Sequence, residues 1–144
     1  EGALREVAAA AGVPVIAHSC APAVPFGLLR RAGMVGISFD ALLLTEGEYD
    51  AIGEAVEAGT VLFSGVVPAV DAASSVAPAG LSEPAGSVSG VRSLWRRLGL
   101  PPGALGESVV VTPVCGLAGA SPAYARRALA HCVKAARTLV DNPE

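Results

Sequence analysis

Four short runs of apolar and β-branched residues are spaced along the chain, and a helical pattern follows each of them. The runs are continuously apolar rather than alternating, which is typical of parallel strands covered on both sides. They lie at Val13–His18, Met34–Asp40, Thr60–Val66 and Ser108–Thr112. The helical segments lie at Pro25–Ala32, Glu46–Ala58, Val88–Leu98 and Ser121–Val140. This order predicts four successive βα units in an α/β fold.

The segment Ser121–Val140 has the clearest sequence pattern of a helix. Ser121 is a preferred N-cap residue, and Pro122 suits the first helical position. Apolar residues then recur at helical spacing on one face, at Ala125, Ala128, Leu129, Cys132, Val133, Ala136 and Leu139. The opposite face carries Arg127, His131 and Lys134. We therefore expect Cys132 to be a small core residue and His131 to be exposed and inert.

A long stretch between the third strand and its helix, "PAVDAASSVAPAGLSEPAGS" at 68–87, is rich in Ala, Ser, Pro and Gly. This composition predicts a flexible loop at the end of a strand. Such a loop is a usual place for a lid or a binding loop. A low-complexity linker is the alternative.

Four βα units fit two architectures, half of a (βα)₈ barrel or a small doubly wound sheet. A complete barrel takes about 250 residues, so a chain of 144 residues cannot close one alone. No glycine-rich nucleotide fingerprint follows any strand, because the glycines of "GMVGIS" lead into a strand rather than a helix. The dinucleotide-binding fold is therefore disfavoured.

Composition narrows the functional classes. Hydrophobic residues make up 52 % of the chain and aromatic ones only 4 %, which predicts a core of small and branched side chains. The net charge of -3 disfavours nucleic-acid binding. Two uncharged segments, Val7–Leu29 and Ser108–Ala125, contain several glycines and prolines, so neither is expected to span a membrane.

The N-terminus, "EGALREV", lacks the features of a signal peptide. Three cysteines without a secretory signal predict a cytoplasmic chain with reduced thiols. The first residue is not Met, which indicates a fragment or a processed chain.

Residues that bind metals cluster where the predicted strands end. The first strand ends in "VIAHSC", and residues at i and i+2 of a strand point the same way, so His18 and Cys20 share a side. Asp40 closes the second strand, and Cys115 lies just past the fourth. The carboxyl edge is the functional face of parallel βα folds. One imidazole, two thiolates and one carboxylate form a set that zinc accepts.

Each of these residues also fits a structural role. His18 or Cys20 can be a satisfied core group, Asp40 a cap or turn residue, and Cys115 a small buried residue beside a turn. Ligands far apart in sequence obey no tight spacing rule, so only their shared position at one edge favours a metal site.

The segments "VIAHSC", "GISFD" and "VTPVCGLAGASPAYARRAL" resemble, in this order, the C-terminal barrel of the cobalamin-independent methionine synthase family and its shorter single-barrel relatives. The resemblance covers essentially the whole chain, and the C-G-L stretch with its long following helix is the most specific part. It implies the C-terminal half, about four βα units, of a (βα)₈ TIM barrel of the methionine synthase and uroporphyrinogen decarboxylase type. Residues 1–144 would form this C-terminal portion of one domain, incomplete at its N-terminus.

Carried over residue by residue, the resemblance implies that His18, Cys20 and Cys115 bind zinc. Asp40 stands where the family usually has Glu, which keeps an oxygen ligand on a side chain shorter by one methylene. The family also carries a histidine near the third strand that assists proton transfer, where this chain reads "GVVPAVDAAS". Asp71 is the nearest ionisable group there and the only candidate for that role.

The implied activity is a zinc-dependent thiol methyltransferase of methionine biosynthesis. Zinc would hold the thiol of homocysteine as a thiolate, which attacks the methyl group of a 5-methyltetrahydrofolate-like donor. One alternative is a corrinoid-dependent thiol methyltransferase, which also resembles this H-x-C and distant Cys pattern. Another is a non-catalytic α/β module, a degenerate paralogue. Half a barrel would also expose edge strands, so we expect self-association of the isolated chain.

Overall fold

Four parallel strands lie side by side in chain order in the computed structural model, which describes residues 1–71 and 81–143. They are β1 (Ile16–Ser19), β2 (Gly36–Asp40), β3 (Val61–Val67) and β4 (Val109–Pro113). All three neighbouring pairs are parallel. Each strand coincides with a predicted one to within a few residues, so the prediction of successive βα units is confirmed.

The helices follow and separate these strands. They are α1 (Gly2–Ala11), α2 (Phe26–Arg31), α3 (Tyr49–Glu57), α4 (Pro84–Ser87), α5 (Ser89–Arg97), α6 (Leu105–Ser108) and α7 (Pro122–Asp141). Short 3₁₀ turns lie at Ala41–Leu43, Glu46–Glu48 and Pro102–Ala104. The prediction of a loop over 68–87 is wrong at its C-terminal end, because Pro84 occupies the first helical position of α4. Residues 72–80 of that loop lie outside the described residues.

The long helix α7 begins as predicted but buries a different face. The Ser121 hydroxyl accepts a hydrogen bond from the Tyr124 backbone N–H at 3.2 Å, which confirms the N-cap. Leu129 is 53 % exposed, whereas His131 is only 7 % exposed, so the prediction of an exposed His131 is wrong. The reason is that α7 packs against α4 as well as β4, and the His131 Nε2 lies 2.8 Å from the Ser87 hydroxyl of α4. Cys132 is buried, as predicted.

The hydrophobic core lies between the helices and one face of the sheet. Ile37 and Phe39 of β2 are fully buried there. The ring of Phe39 meets that of Phe26 from α2 edge to face, with centroids 5.1 Å apart. Leu62 of β3 and Val111 of β4 continue the same layer. This core fixes the orientation of the strands and therefore of their carboxyl ends.

The other face of the sheet has no helix layer among the described residues. Strand register places its side chains in rows that run across the sheet. We call this surface the open face; its residues are Ile16, His18, Gly36, Ser38, Asp40, Val61, Phe63, Gly65, Val110 and Thr112. Two of its apolar residues on the edge strands remain in water, since Ile16 is 48 % and Val110 is 41 % exposed.

Chain-order strands with helices on a single face differ from a doubly wound sheet, in which the strand order reverses and helices cover both faces. The observed α/β arrangement is compatible with half of a barrel. Within residues 1–71 and 81–143, no helix combines the length and the apolar character that crossing a bilayer requires.

Candidate metal centre

Three of the predicted ligands converge at the carboxyl edge of the sheet. His18 lies on β1, Cys20 follows β1 directly, and Cys115 follows β4. Their ligand atoms all lie within 4.8 Å of one another. The two sulfurs are 3.6 Å apart, and two thiolates on a tetrahedral zinc with Zn–S bonds of about 2.3 Å stand about 3.8 Å apart. The spacing of the two sulfurs therefore suits a tetrahedral metal ion.

The ligand atoms come together although β1 and β4 form opposite edges of the sheet. Three interstrand spacings amount to about 14 Å in a flat sheet. The chain after β4 covers part of that distance by lying against Gly65 of β3. A Cβ atom at Gly65 would stand 2.5 Å from the Val114 Cα and 2.7 Å from the Phe39 carbonyl oxygen. Only glycine allows this approach, which carries Cys115 towards β1.

The Val114 backbone N–H holds the same segment in place by donating to the Val67 carbonyl at 2.9 Å. Here β3 and β4 also shift register, between Gly65 and Val67. Sequence reasoning missed Gly65. The available signal was a glycine inside a β-branched run, which often marks a bulge or a close backbone approach.

Ser38 orients the imidazole of His18. It lies beside His18 in the register of β1 and β2, and its hydroxyl is 2.9 Å from the His18 Nδ1. With Nδ1 engaged, Nε2 is the nitrogen left to bind a metal. Metal-binding histidines commonly have their second nitrogen fixed in this way. Ser38 was also missed, although a hydroxyl in the apolar run "GISFD" was a visible signal.

A buried carboxylate holds the loop that follows Cys20. The Glu48 side chain is buried, and its Oε1 accepts a hydrogen bond from the Val24 backbone N–H at 3.0 Å. Its Oε2 accepts from the backbone N–H and hydroxyl of Thr45 at 2.9 and 3.1 Å. The loop itself is strained, because Ala23 adopts a left-handed φ of 58°. Glu48 therefore helps to fix the course of the chain beyond Cys20.

The two thiols interact electrostatically. The Cys20 and Cys115 sulfurs lie 3.6 Å apart, and the hydrogen bond between them is the largest cause of a raised pKa of Cys20. Charge on Cys115, desolvation and the charge of Asp40 raise the pKa of Cys20 further. Cys20 therefore holds its proton at neutral pH, and a metal ion that binds there would have to displace it.

Asp40 is engaged elsewhere. Its Oδ1 accepts a hydrogen bond from the Leu42 backbone N–H at 2.9 Å, which caps the turn Ala41–Leu43. Asp40 is not among the residues whose ligand atoms cluster. Three of the four predicted ligands thus come together, and Asp40 as a fourth ligand stays a prediction.

Asp71 lies outside the cluster as well. Its carboxylate Oδ2 is 3.7 Å from the Nη2 of Arg127 on α7. A role of Asp71 in proton transfer stays a prediction.

A cavity of about 490 Å³ lies beside the helix-covered side of the sheet. Its lining includes Tyr49, Ser64 and Ser87, and none of the three clustered ligands takes part in it. The cluster of His18, Cys20 and Cys115 is therefore a separate feature, open to solvent at the sheet edge, where His18 and Cys20 are exposed.

A comparison of the chain with models of known protein families, with curated proteins and with solved structures finds no match.

Proposed function

We propose that this chain carries the zinc centre of a thiol methyltransferase, with His18, Cys20 and Cys115 as the metal ligands. The observation that supports the proposal most directly is the convergence of these ligand atoms to within 4.8 Å of one another from opposite edges of the sheet.

The donor set suits zinc better than other common ions. Imidazole and thiolate are ligands that zinc prefers, whereas Mg²⁺ and Ca²⁺ take oxygen ligands. Three protein ligands leave a fourth position, as in catalytic zinc sites. A structural zinc site would have a fourth protein ligand. Among the ligands predicted from the sequence, Asp40 is the one that could fill this position.

When bound at these residues, Zn²⁺ would lower the pKa of a substrate thiol and so supply a thiolate nucleophile near neutral pH. The protein's own part is positional. Ser38 fixes the ring of His18 through Nδ1, and Gly65 lets the chain bring Cys115 close to Cys20. Exposure of the first two ligands leaves room for a substrate to approach from the carboxyl edge.

Homocysteine as the thiol and a methylated folate as the donor follow from the sequence resemblance, as does assignment of the sheet to half of a methionine synthase-type barrel. A corrinoid-bound methyl group is the second candidate donor. The observation that favours it is the absence of histidine from the sequence "GVVPAVDAAS", which begins within β3.

The first test is metal content, measured by elemental analysis after anaerobic purification. We expect about one zinc per chain in the parent, with most of it lost in Cys115→Ser. The matched control is Cys132→Ser, since Cys132 is buried on α7, remote from the clustered ligands. A folded, reduced parent without zinc, or a control that loses zinc equally, contradicts the assignment.

The second test is methyl transfer by the zinc-loaded chain. Homocysteine is supplied with either 5-methyltetrahydrofolate or methylcobalamin, and methionine is measured by mass spectrometry. Turnover with one donor identifies that donor. Full zinc occupancy without turnover from either donor contradicts the enzymatic proposal and favours a non-catalytic module.

A further inference from the structure

We propose that the cavity between the sheet and helices α3, α4 and α5 binds a small neutral molecule with an apolar body and one hydroxyl or carbonyl group. We call this space the helix-side cavity; its volume is about 490 Å³. The proposal rests on the residues that line the cavity. It does not require a bound metal, since His18, Cys20 and Cys115 take no part in that lining.

The walls of the helix-side cavity are apolar. Phe39 of β2 and Val66 of β3 lie on the sheet side, and Val91 and Leu94 of α5 lie on the helix side. All four are buried. Cavities of about 300–1,000 Å³ with walls of this kind are typical of sites for small molecules.

The lining favours a neutral ligand over a charged one. Among the described residues, none that lines the cavity is Asp, Glu, Lys, Arg or His. A charged molecule would therefore lose its hydration in the cavity without gaining an ionic partner, which is costly. A neutral molecule with an apolar body avoids this cost and gains contact with the apolar walls.

A buried hydroxyl on the sheet side provides a position for a polar group of the ligand. Ser64 of β3 lines the cavity and is only 2 % exposed. Its neighbours in the register of the sheet are Phe39 and Val111, whose side chains cannot form hydrogen bonds. Within residues 1–71 and 81–143, the Ser64 hydroxyl takes part in no side-chain hydrogen bond. A buried hydroxyl without a partner is unfavourable, and a hydroxyl or carbonyl of a ligand would supply that partner.

The other described serines in the lining already have partners. The Ser87 hydroxyl of α4 lies 2.7 Å from the Ser82 hydroxyl and 2.8 Å from the His131 Nε2. Burial lowers the pKa of His131, so this imidazole is neutral at neutral pH and adds no charge behind the wall. The Ser89 hydroxyl donates to a backbone carbonyl of α4 at 2.8 Å. Ser64 is therefore the serine at which a ligand adds a missing hydrogen bond.

The cavity reaches the protein surface at exposed residues of its lining. Leu42, in the turn after β2, is 66 % exposed, and Ser82 and Ser89 are exposed as well. A ligand can enter there while the buried wall residues stay in place. Because Ser64 is buried, the polar group of the ligand would point inwards, and the apolar body would lie between the sheet and α5.

The test uses three probes of one shape, p-ethylphenol, ethylbenzene and p-ethylbenzoate, which carry a hydroxyl, no polar group and a negative charge. Affinities are obtained from titrations followed by amide NMR spectra, and the position of the probe from nuclear Overhauser contacts to Val66 and Val91. We expect p-ethylphenol to bind about 2–10-fold more tightly than ethylbenzene, the difference that one hydrogen bond makes. We expect p-ethylbenzoate to bind at least about 100-fold more weakly than p-ethylphenol, because its charge would be buried without a partner.

Two variants test the position of the ligand. Ser64→Ala should remove the preference for p-ethylphenol over ethylbenzene and leave ethylbenzene binding within about twofold of the parent. The matched control is Thr112→Val, which removes a buried hydroxyl that has no partner from the open face; it should keep the preference. Gly90→Leu narrows the cavity from α5 and should weaken both neutral probes at least about 10-fold. An added Cβ at Gly90 meets no atom within 4 Å, so circular dichroism should show unchanged folding. Gly2→Leu on α1, where a Cβ also meets nothing within 4 Å, is its control.

The outcomes decide the proposal. A folded parent that binds neither neutral probe overturns it, as does binding that Ser64→Ala and Gly90→Leu leave unchanged. Equal affinity for p-ethylbenzoate and p-ethylphenol overturns the assignment of a neutral ligand. Cys115→Ser separates this cavity from the metal centre, because the variant should lose zinc and keep the affinity for p-ethylphenol. Loss of p-ethylphenol binding together with zinc would show one combined site and also overturns the proposal.

Discussion

Gly65→Ala tests whether the close approach of two chain segments creates the metal centre. The added Cβ would stand 2.5 Å from the Val114 Cα and 2.7 Å from the Phe39 oxygen. Both atoms belong to the backbone, so neither can move aside as the end of a flexible side chain could. Relief to ordinary contact distance requires a shift of about 1 Å, and overpacking of this kind costs about 1–3 kcal/mol.

Because Cys115 follows Val114 directly, such a shift would also move the Cys115 sulfur away from Cys20. Metal sites tolerate changes in ligand distance of about 0.2 Å. Disturbing the groups that support metal ligands weakens affinity by about 10–100-fold. We therefore expect Gly65→Ala to lower both the free energy of unfolding and the zinc affinity.

The assay pairs two measurements. Zinc affinity is obtained by competition with a chromophoric chelator, and the free energy of unfolding by urea titration of the metal-free protein. Gly36→Ala is the matched control, since its Cβ would stand 2.7 Å from the Phe63 Cε2, a side-chain atom rather than the backbone that leads to Cys115. It should lose stability but bind zinc within about twofold of the parent. Parent-like zinc affinity in folded Gly65→Ala, or an equal loss in the control, refutes the reasoning.

Three further substitutions test neighbouring parts of the structure. Ser38→Ala removes the hydrogen bond to the His18 Nδ1; zinc affinity from chelator competition should fall about 10–100-fold, and an unchanged affinity would contradict the positioning role of Ser38. Glu48→Gln weakens a buried acceptor of three hydrogen bonds, so the free energy of unfolding measured in urea should fall by about 1–3 kcal/mol. Burial lowers the pKa of His131 below its usual 6.5, so the unfolded chain takes up a proton at higher pH than the folded one. The contribution of the neutral His131 to the free energy of unfolding is therefore complete above pH 6.5 and is lost as the pH falls from 6.5 through the folded pKa. We expect His131→Gln to flatten this loss when the free energy of unfolding is measured in urea between pH 8 and 5.

The strands were predictable because each is a short run of β-branched residues bounded by breakers. Helix α1, by contrast, was missed although "GALREVAAAA" has good helix formers. None of its residues is buried, so it lacks the buried stripe that makes a helix recognisable from its periodicity. Periodicity finds helices that pack, whereas α1 carries a charged contact of its own at its start, between Arg5 and Glu1.

The burial of His131 could not be predicted from the apolar periodicity of α7 alone. The spacing of apolar residues indicated one buried face of α7, but a second neighbour, α4, covers the adjacent face and buries His131 against Ser87. Since α4 lies in a stretch whose composition suggested a loop, the sequence offered no reason to expect this contact. Leu129 and Val133 were assigned to the core by the same pattern and are exposed instead.

The sequence predicts the part of the candidate site that depends on local strand geometry. Alternation along a strand places His18 and Cys20 on one side, and Cys115 was expected at the same edge. The final approach of the sulfurs depends on Gly65, Val114 and Val67, which only the folded chain brings together. Asp40 could have served either as a metal ligand or as the cap of the turn that follows its strand. It caps the turn, because its Oδ1 accepts a hydrogen bond from the Leu42 backbone N–H.

The candidate metal centre joins the two edges of the sheet. Cys20 and Cys115 are separated by 95 positions in the chain and belong to opposite edges of the sheet. A metal bound to both would therefore tie the two edges together at the carboxyl end of the strands and close a long loop, which restricts the unfolded chain more than the folded one. Zinc bound at these residues would therefore also stabilise the fold.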